Sequence, residues 1–185
     1  MTIEFGRIKL SKEEQTKHYQ SLMKDLNYLL SERKNLKRNI AAAKKEYERE
    51  NGKGKFEFDH INILKKHVKD EEKRKSRLSD KAVCLSVVRL SESEESSQVI
   101  ADLMNEVIEM EEMLRDSFKD ELPKTYLWSK LFLMNDTMNN SYEIANILSQ
   151  IEMYKIAKKE NEEGRAGEFG LKFNEEMKKL GFETK

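Results

Sequence analysis

Three histidines, one cysteine and 35 carboxylates are the side chains of this 185-residue chain with the most obvious chemical use. A zinc site of the finger type needs Cys and His paired at short spacings, and Cys84 is the only cysteine. His60 and His67 stand seven residues apart, two helical turns, too far for both to reach one ion. Glu57-Phe-Asp-His60 has the Glu-x-x-His spacing with which helical bundles hold two iron ions, but that chemistry needs two such pairs and the chain offers one. Cys84 lies between Val83 and Leu85 with no activating base nearby in sequence, which is the setting of an inert buried thiol.

Glu106, Glu109 and Glu112 repeat at three-residue steps and could present carboxylates to magnesium. Helical nucleotide pyrophosphohydrolases follow such a Glu-x-x-Glu with a Glu-x-x-Asp, which is missing downstream of Glu112, so a solvated face is expected. No phosphate-binding Gly-x-x-x-x-Gly-Lys-Ser/Thr occurs. Gly164-Arg-Ala-Gly167 has the Gly-x-x-Gly form of an RNA-clamping loop without the strands that would frame it. The sequence therefore holds no catalytic constellation, and neither enzyme activity, nor a metal, nor a cofactor is expected.

The elements that remain are helices. Charged residues make up 38% of the chain, with one proline and seven glycines, and the mean hydropathy is −0.84. These values exclude collagen-like, disulfide-stapled and membrane-spanning classes. The start lacks the apolar core of a signal peptide and a lone cysteine forms no internal disulfide, so a cytoplasmic protein is expected. Net charge is zero but divided. Residues 1–81 carry 22 Lys/Arg against 14 Asp/Glu, and residues 82–152 carry 5 against 14. That division suits a basic half meeting an acidic half, within one chain or between copies.

Ser11-Lys-Glu-Glu14 has the spacing of a capping box and opens a long helix. Tyr19, Leu26, Arg33, Ile40 and Tyr47 then alternate with Leu22, Leu29, Leu36 and Ala43 in a heptad seam. Asn51-Gly52 ends it, and a second seam follows with Ile61, Val68, Lys75 and Ala82 against Leu64, Glu71, Leu78 and Leu85. Folding the chain at the tip pairs positions whose numbers sum to 111, so that Leu29 faces Ala82, Leu26 faces Leu85 and Arg33 faces Leu78. An antiparallel coiled-coil hairpin is the expectation. Residues 82–90 read equally as helix or strand, and Ser91–Gln98 as an acidic linker or the first turn of the next helix.

Val99, Ile100, Leu103, Met104, Val107, Ile108 and Leu114 form a stripe wider than a heptad seam, which belongs in a bundle. The polar run Asn135–Ser141 is expected to break or bend the following helix, with a further helix carrying Ala145, Leu148, Ile151 and Ile156. Gly164, Gly167 and Gly170 form a flexible joint before a short amphipathic tail helix. The fold expected is all-α: a long antiparallel coiled-coil hairpin and basic arm over residues 1–90, an acidic helical bundle segment over 91–163, and the joint and tail over 164–185.

Function is expected to lie in stoichiometric binding of a protein, as an adaptor, assembly factor or inhibitor. Phe169, Phe173, Met177 and Leu180 of the tail are the candidate docking residues for helix-in-groove recognition. The acidic stretch 92–121, with 11 acids against 2 bases, could meet the basic hairpin of a second copy, giving a homo-oligomer. The alternative partner is nucleic acid. Lys34, Lys37 and Arg38 would lie beside Lys73, Arg74 and Arg77 in the hairpin, although no aromatic residue stands among them to stack a base. No membrane partner is expected.

Overall fold

A computed structural model describes residues 3–5, 8–49, 71–117 and 124–182. The tip of the expected hairpin, with His60, His67 and Glu57, lies outside the described residues. Two short strands, β1 (Ile3–Phe5) and β2 (Ile8–Leu10), pair antiparallel with Ile3 opposite Leu10 and Phe5 opposite Ile8. Helices α1 (Lys12–Arg49), α2 (Glu71–Leu90), α3 (Glu94–Ser117), α4 (Lys124–Glu162) and α5 (Glu168–Lys179) follow. The fold is an all-α bundle with the strand pair at one end, β1 against α4 and β2 against α1.

Helix boundaries follow local chemistry. The capping box forms as expected: Ser11 N donates to Glu14 Oε2 at 2.8 Å, and Glu14 N donates to Ser11 Oγ at 3.3 Å. These bonds from Ser11 hold the Glu14 carboxyl below its ordinary range. Residues 82–90 are helix, completing α2. The serines after it make an ordered joint, with Ser93 N donating to Ser91 Oγ and Ser96 N donating to Ser93 Oγ. Glu94 and Glu95 then occupy the first turn of α3, where the positive end of the helix dipole favours them. At the far end of α5, Phe182 N donates to Met177 O and Gly181 N to Lys178 O around a left-handed Gly181, the Schellman arrangement.

The centre of the bundle is α4, which packs against every other helix. Its 39 residues span roughly 58 Å at the α-helical rise. It does not break at Asn135–Ser141. Thr137 Oγ1 donates to Leu133 O at 2.8 Å and Ser141 Oγ donates to Thr137 O at 2.9 Å, so these hydroxyls are satisfied inside their own helix. Asn140 Nδ2 reaches out instead and donates to Leu29 O of α1 at 2.9 Å. Thr137, Ser141, Ala145 and Ser149, at four-residue steps, are each almost wholly buried. Small residues on that ridge allow neighbouring helices to approach closely.

The core draws on four helices: Leu22 and Leu26 of α1, Cys84 and Val87 of α2, Ile100, Leu103 and Met104 of α3, and Ile144, Ala145, Ile147 and Ile151 of α4. Thus Leu22 and Leu26 of the α1 seam are buried and Leu29, Leu36 and Ile40 half-buried, while Tyr19 is exposed, and the chief partner of α1 among the described residues is α4 rather than α2. The expected pairing of Arg33 with Leu78 is not seen. Leu78 is 55% exposed, and Arg33 turns to a carboxylate instead, because a guanidinium gains more from a charge partner than from a leucine.

Candidate functional site

Both α1 and α3 lie on α4 and run in the same direction. Gln15 meets Tyr154 at one end of the α1–α4 contact and Arg33 meets Ser141 towards the other, so that pair is antiparallel. Along α3, Val107 packs with Met138 and Tyr142, while Ile100 joins the cluster holding Ile144 to Ile151, which makes that pair antiparallel too. Two parallel helices on a shared floor leave a groove between them. Leu26, Leu30 and Arg33 form one wall, Val99, Leu103 and Glu106 the other, and Ile144 and Leu148 of α4 the floor. Its volume is about 450 Å³.

The walls advance in step, each with residues at i, i+4 and i+7 on one helix face. One end is closed by charge: Arg33 pairs with Glu106 and also donates to Ser141 Oγ. The open part is apolar, with Leu30 48% and Val99 45% exposed on its two rims. Charge differs between the rims. Lys34 and Lys37, exposed, continue the edge of α1 beyond Leu30, whereas Asp102 and Glu109, also exposed, continue the edge of α3 beyond Val99.

The candidate docking residues of the tail lie elsewhere. Phe169 and Met177 are buried against the body of this chain, and Phe173 and Leu180 are half-buried. Phe169 and Phe173 stack with ring centroids 5.9 Å apart. Helix α5 packs on α2 and α4, held by a bond from Phe169 N to the buried Glu160 Oε2 at 2.6 Å. That carboxylate supplies the N-terminal cap that Gly167 has no side chain to provide. Arg89 of α2 pairs with Glu176 at 3.3 Å; Lys179, and behind it Arg89, lowers the Glu176 carboxyl. Gly164 and Gly167 hold the turn into α5 with φ of 73° and 94°, a region that favours glycine.

Of the candidate basic patch, Lys34, Lys37 and Arg38 are exposed on α1. Lys73, Arg74 and Arg77 fall on the first turns of α2, and their side chains lie outside the described residues. Of the three glutamates spaced to meet magnesium, Glu106 is held by Arg33, while Glu109 and Glu112 are exposed. Among the described residues no group of three or more His, Cys, Asp and Glu side chains is placed to hold a metal. None of the described helices is long and apolar enough to cross a membrane.

Cys84 is fully buried, and burial pushes its thiol up to about 11; Asp80 adds to the shift and the nearby Ser149 hydroxyl opposes it. A thiol so shifted is a poor nucleophile at neutral pH. The groove itself was missed in the sequence because Leu30 falls outside the heptad seam and Val99 stands at the edge of the α3 stripe. An off-seam leucine beside Leu29 was the available signal. Compared with family models, curated proteins and solved structures, the chain matches none.

Proposed function

We propose that this chain is a non-enzymatic binding module that acts by stoichiometric docking of a protein in the groove between α1 and α3. The observation that carries the reading is the groove's open apolar stretch: Leu30 and Val99 stay largely exposed on opposite rims over a floor of Ile144 and Leu148. Apolar residues gathered on a concave surface, with charged rims, fit recognition of a helix or another elongated apolar surface. The tail supports the reading only indirectly, because its apolar face is seated on this chain's own α2 and α4. An adaptor, an assembly factor and an inhibitor would all use such a surface, and cytoplasmic action accords with it.

The test is recovery of the full chain from cells, compared with Leu30→Glu/Val99→Glu. A protein should accompany the wild-type chain in fixed stoichiometry and be lost from the double variant, whose helical content stays unchanged. Equal recovery with both chains would contradict docking in the groove.

Nucleic acid is the second reading, favoured by the exposed Lys34, Lys37 and Arg38 on one helix. It calls for anisotropy of labelled DNA and RNA that rises with the chain and falls steeply with salt. Loss of that signal on reversing Lys34 and Lys37 to Glu would favour it over protein docking.

A further inference from the structure

We infer that the occupant of the α1–α3 groove is the same groove of a second copy, the two related by a two-fold axis running parallel to α1 and α3. This rests on the reading of the groove as a protein-docking surface and names its partner. The argument is charge complementarity between the two rims, with Lys37 and Glu109 at matched height. One rim carries Lys34 and Lys37, and the other carries Asp102 and Glu109.

Two copies placed face to face can be related by a two-fold axis along the helices or across them. An axis across the helices sets α1 on α1 and α3 on α3, bringing like charges together, which opposes association. An axis along the helices sets each α1 on the partner's α3 and preserves height along the bundle. Height is fixed by the pairing of Arg33 with Glu106. Lys37 stands four residues beyond Arg33, and Glu109 three beyond Glu106. Under this axis, Lys37 therefore comes level with Glu109 of the other copy to within about one residue, roughly 1.5 Å. By the same register Leu30 of one copy stands four residues, roughly 6 Å, further along than Val99 of the other, so the apolar stretches overlap with an offset of about one helical turn. The interface is isologous: the same patch serves both copies.

The apolar part of this surface is small, so the dimer belongs to the weaker class of association and loosens with salt, which screens its exposed rim charges. The experiment is sedimentation equilibrium of the full chain at about 100 µM in low salt, a concentration that populates associations of moderate strength. The wild-type chain should be dimeric. Lys34→Glu/Lys37→Glu and Asp102→Lys/Glu109→Lys should each weaken self-association by at least about tenfold, because each sets like charge on like at both contacts. An equimolar mixture of the two variants should recover a heterodimer, since both contacts then join opposite charges. Recovery on mixing separates the interface from any loss of folding.

A monomeric wild-type chain at that concentration overturns the inference, as does a mixture of variants that stays monomeric. If the wild-type chain is monomeric while Leu30→Glu/Val99→Glu still loses a different protein in cells, the second-copy inference fails and the protein-docking reading stands. If the wild-type chain dimerises and Leu30→Glu has no effect, the dimer lies elsewhere and the inference fails.

Discussion

Arg33 of α1 pairs with Glu106 of α3 across the head of the groove, and the same guanidinium donates to Ser141 of α4. One side chain thereby ties three helices together and fixes the register of the two groove walls. Both partners are only partly exposed, at 15% and 27% of their side-chain surface. Their interaction therefore belongs above the range of freely exposed ion pairs.

Replacement of Arg33 by Met should destabilise the chain by about 1.5–3 kcal/mol, the range for losing a hydrogen bond to a charged group. A double-mutant cycle with Glu106→Gln should return a coupling of at least about 1 kcal/mol in denaturant unfolding. Additive effects would mean that the pair does not set the spacing of α1 and α3.

The polar run in α4 is structural. Ser141 is fully buried where the helices approach, so Ser141→Leu should cost about 1–3 kcal/mol by overpacking. Asn140→Ala should cost about 1 kcal/mol through the lost bond to Leu29 O. Thermal or urea unfolding measures both. A stabilising Ser141→Leu would show that the helices stand further apart than described.

Seating of the tail depends on Glu160 and Phe169. Glu160→Ala removes the acceptor for Phe169 N, and amide exchange should quicken within residues 168–179 while the core of α4 keeps its protection. Phe169→Ala should cost about 3 kcal/mol if α5 unfolds together with the rest of the chain. If α5 releases independently, exchange in the tail rises with little change in global stability.

Cys84 gives a pH dependence with a definite sign. Its folded-state pKa, about 11, lies above the ordinary thiol value of 9.0. The stability it contributes is fully present below pH 9.0 and is lost as pH rises through about 11. The wild-type chain should therefore lose stability more steeply over that interval than Cys84→Ala. Alkylation of the native thiol at pH 8 should be slow and should become fast in denaturant. Equal alkaline profiles for the two chains would contradict the burial of this thiol.

The all-α class was legible in the sequence because helix signals agree at several levels. The Ser11–Glu14 box, the buried Leu22 and Leu26, and the wide stripe around Ile100, Leu103, Met104 and Val107 appear where their spacing places them. The partner of α1 was not legible. A heptad seam states that a helix needs a neighbour, and two charged helices of similar length satisfy the same pattern by arithmetic alone. On α4, the buried ridge of Thr137, Ser141, Ala145 and Ser149 reads in sequence as polar interruption rather than as a packing surface. The tail shows the converse: Phe169 and Met177 announce an apolar face, but the sequence does not say that this chain's own body covers it. The groove is a property of three helices together, and no single stretch displays it.

The most direct measurement is photo-crosslinking from the groove, with a benzophenone amino acid at position 30 or 99 of the full chain in cells and at exposed Lys158 as the control. Docking in the groove requires discrete adducts from 30 and 99 that are missing from 158, with a mass of two chains where a second copy is the occupant. Adducts no more frequent at 30 and 99 than at 158 would contradict the groove as the binding site.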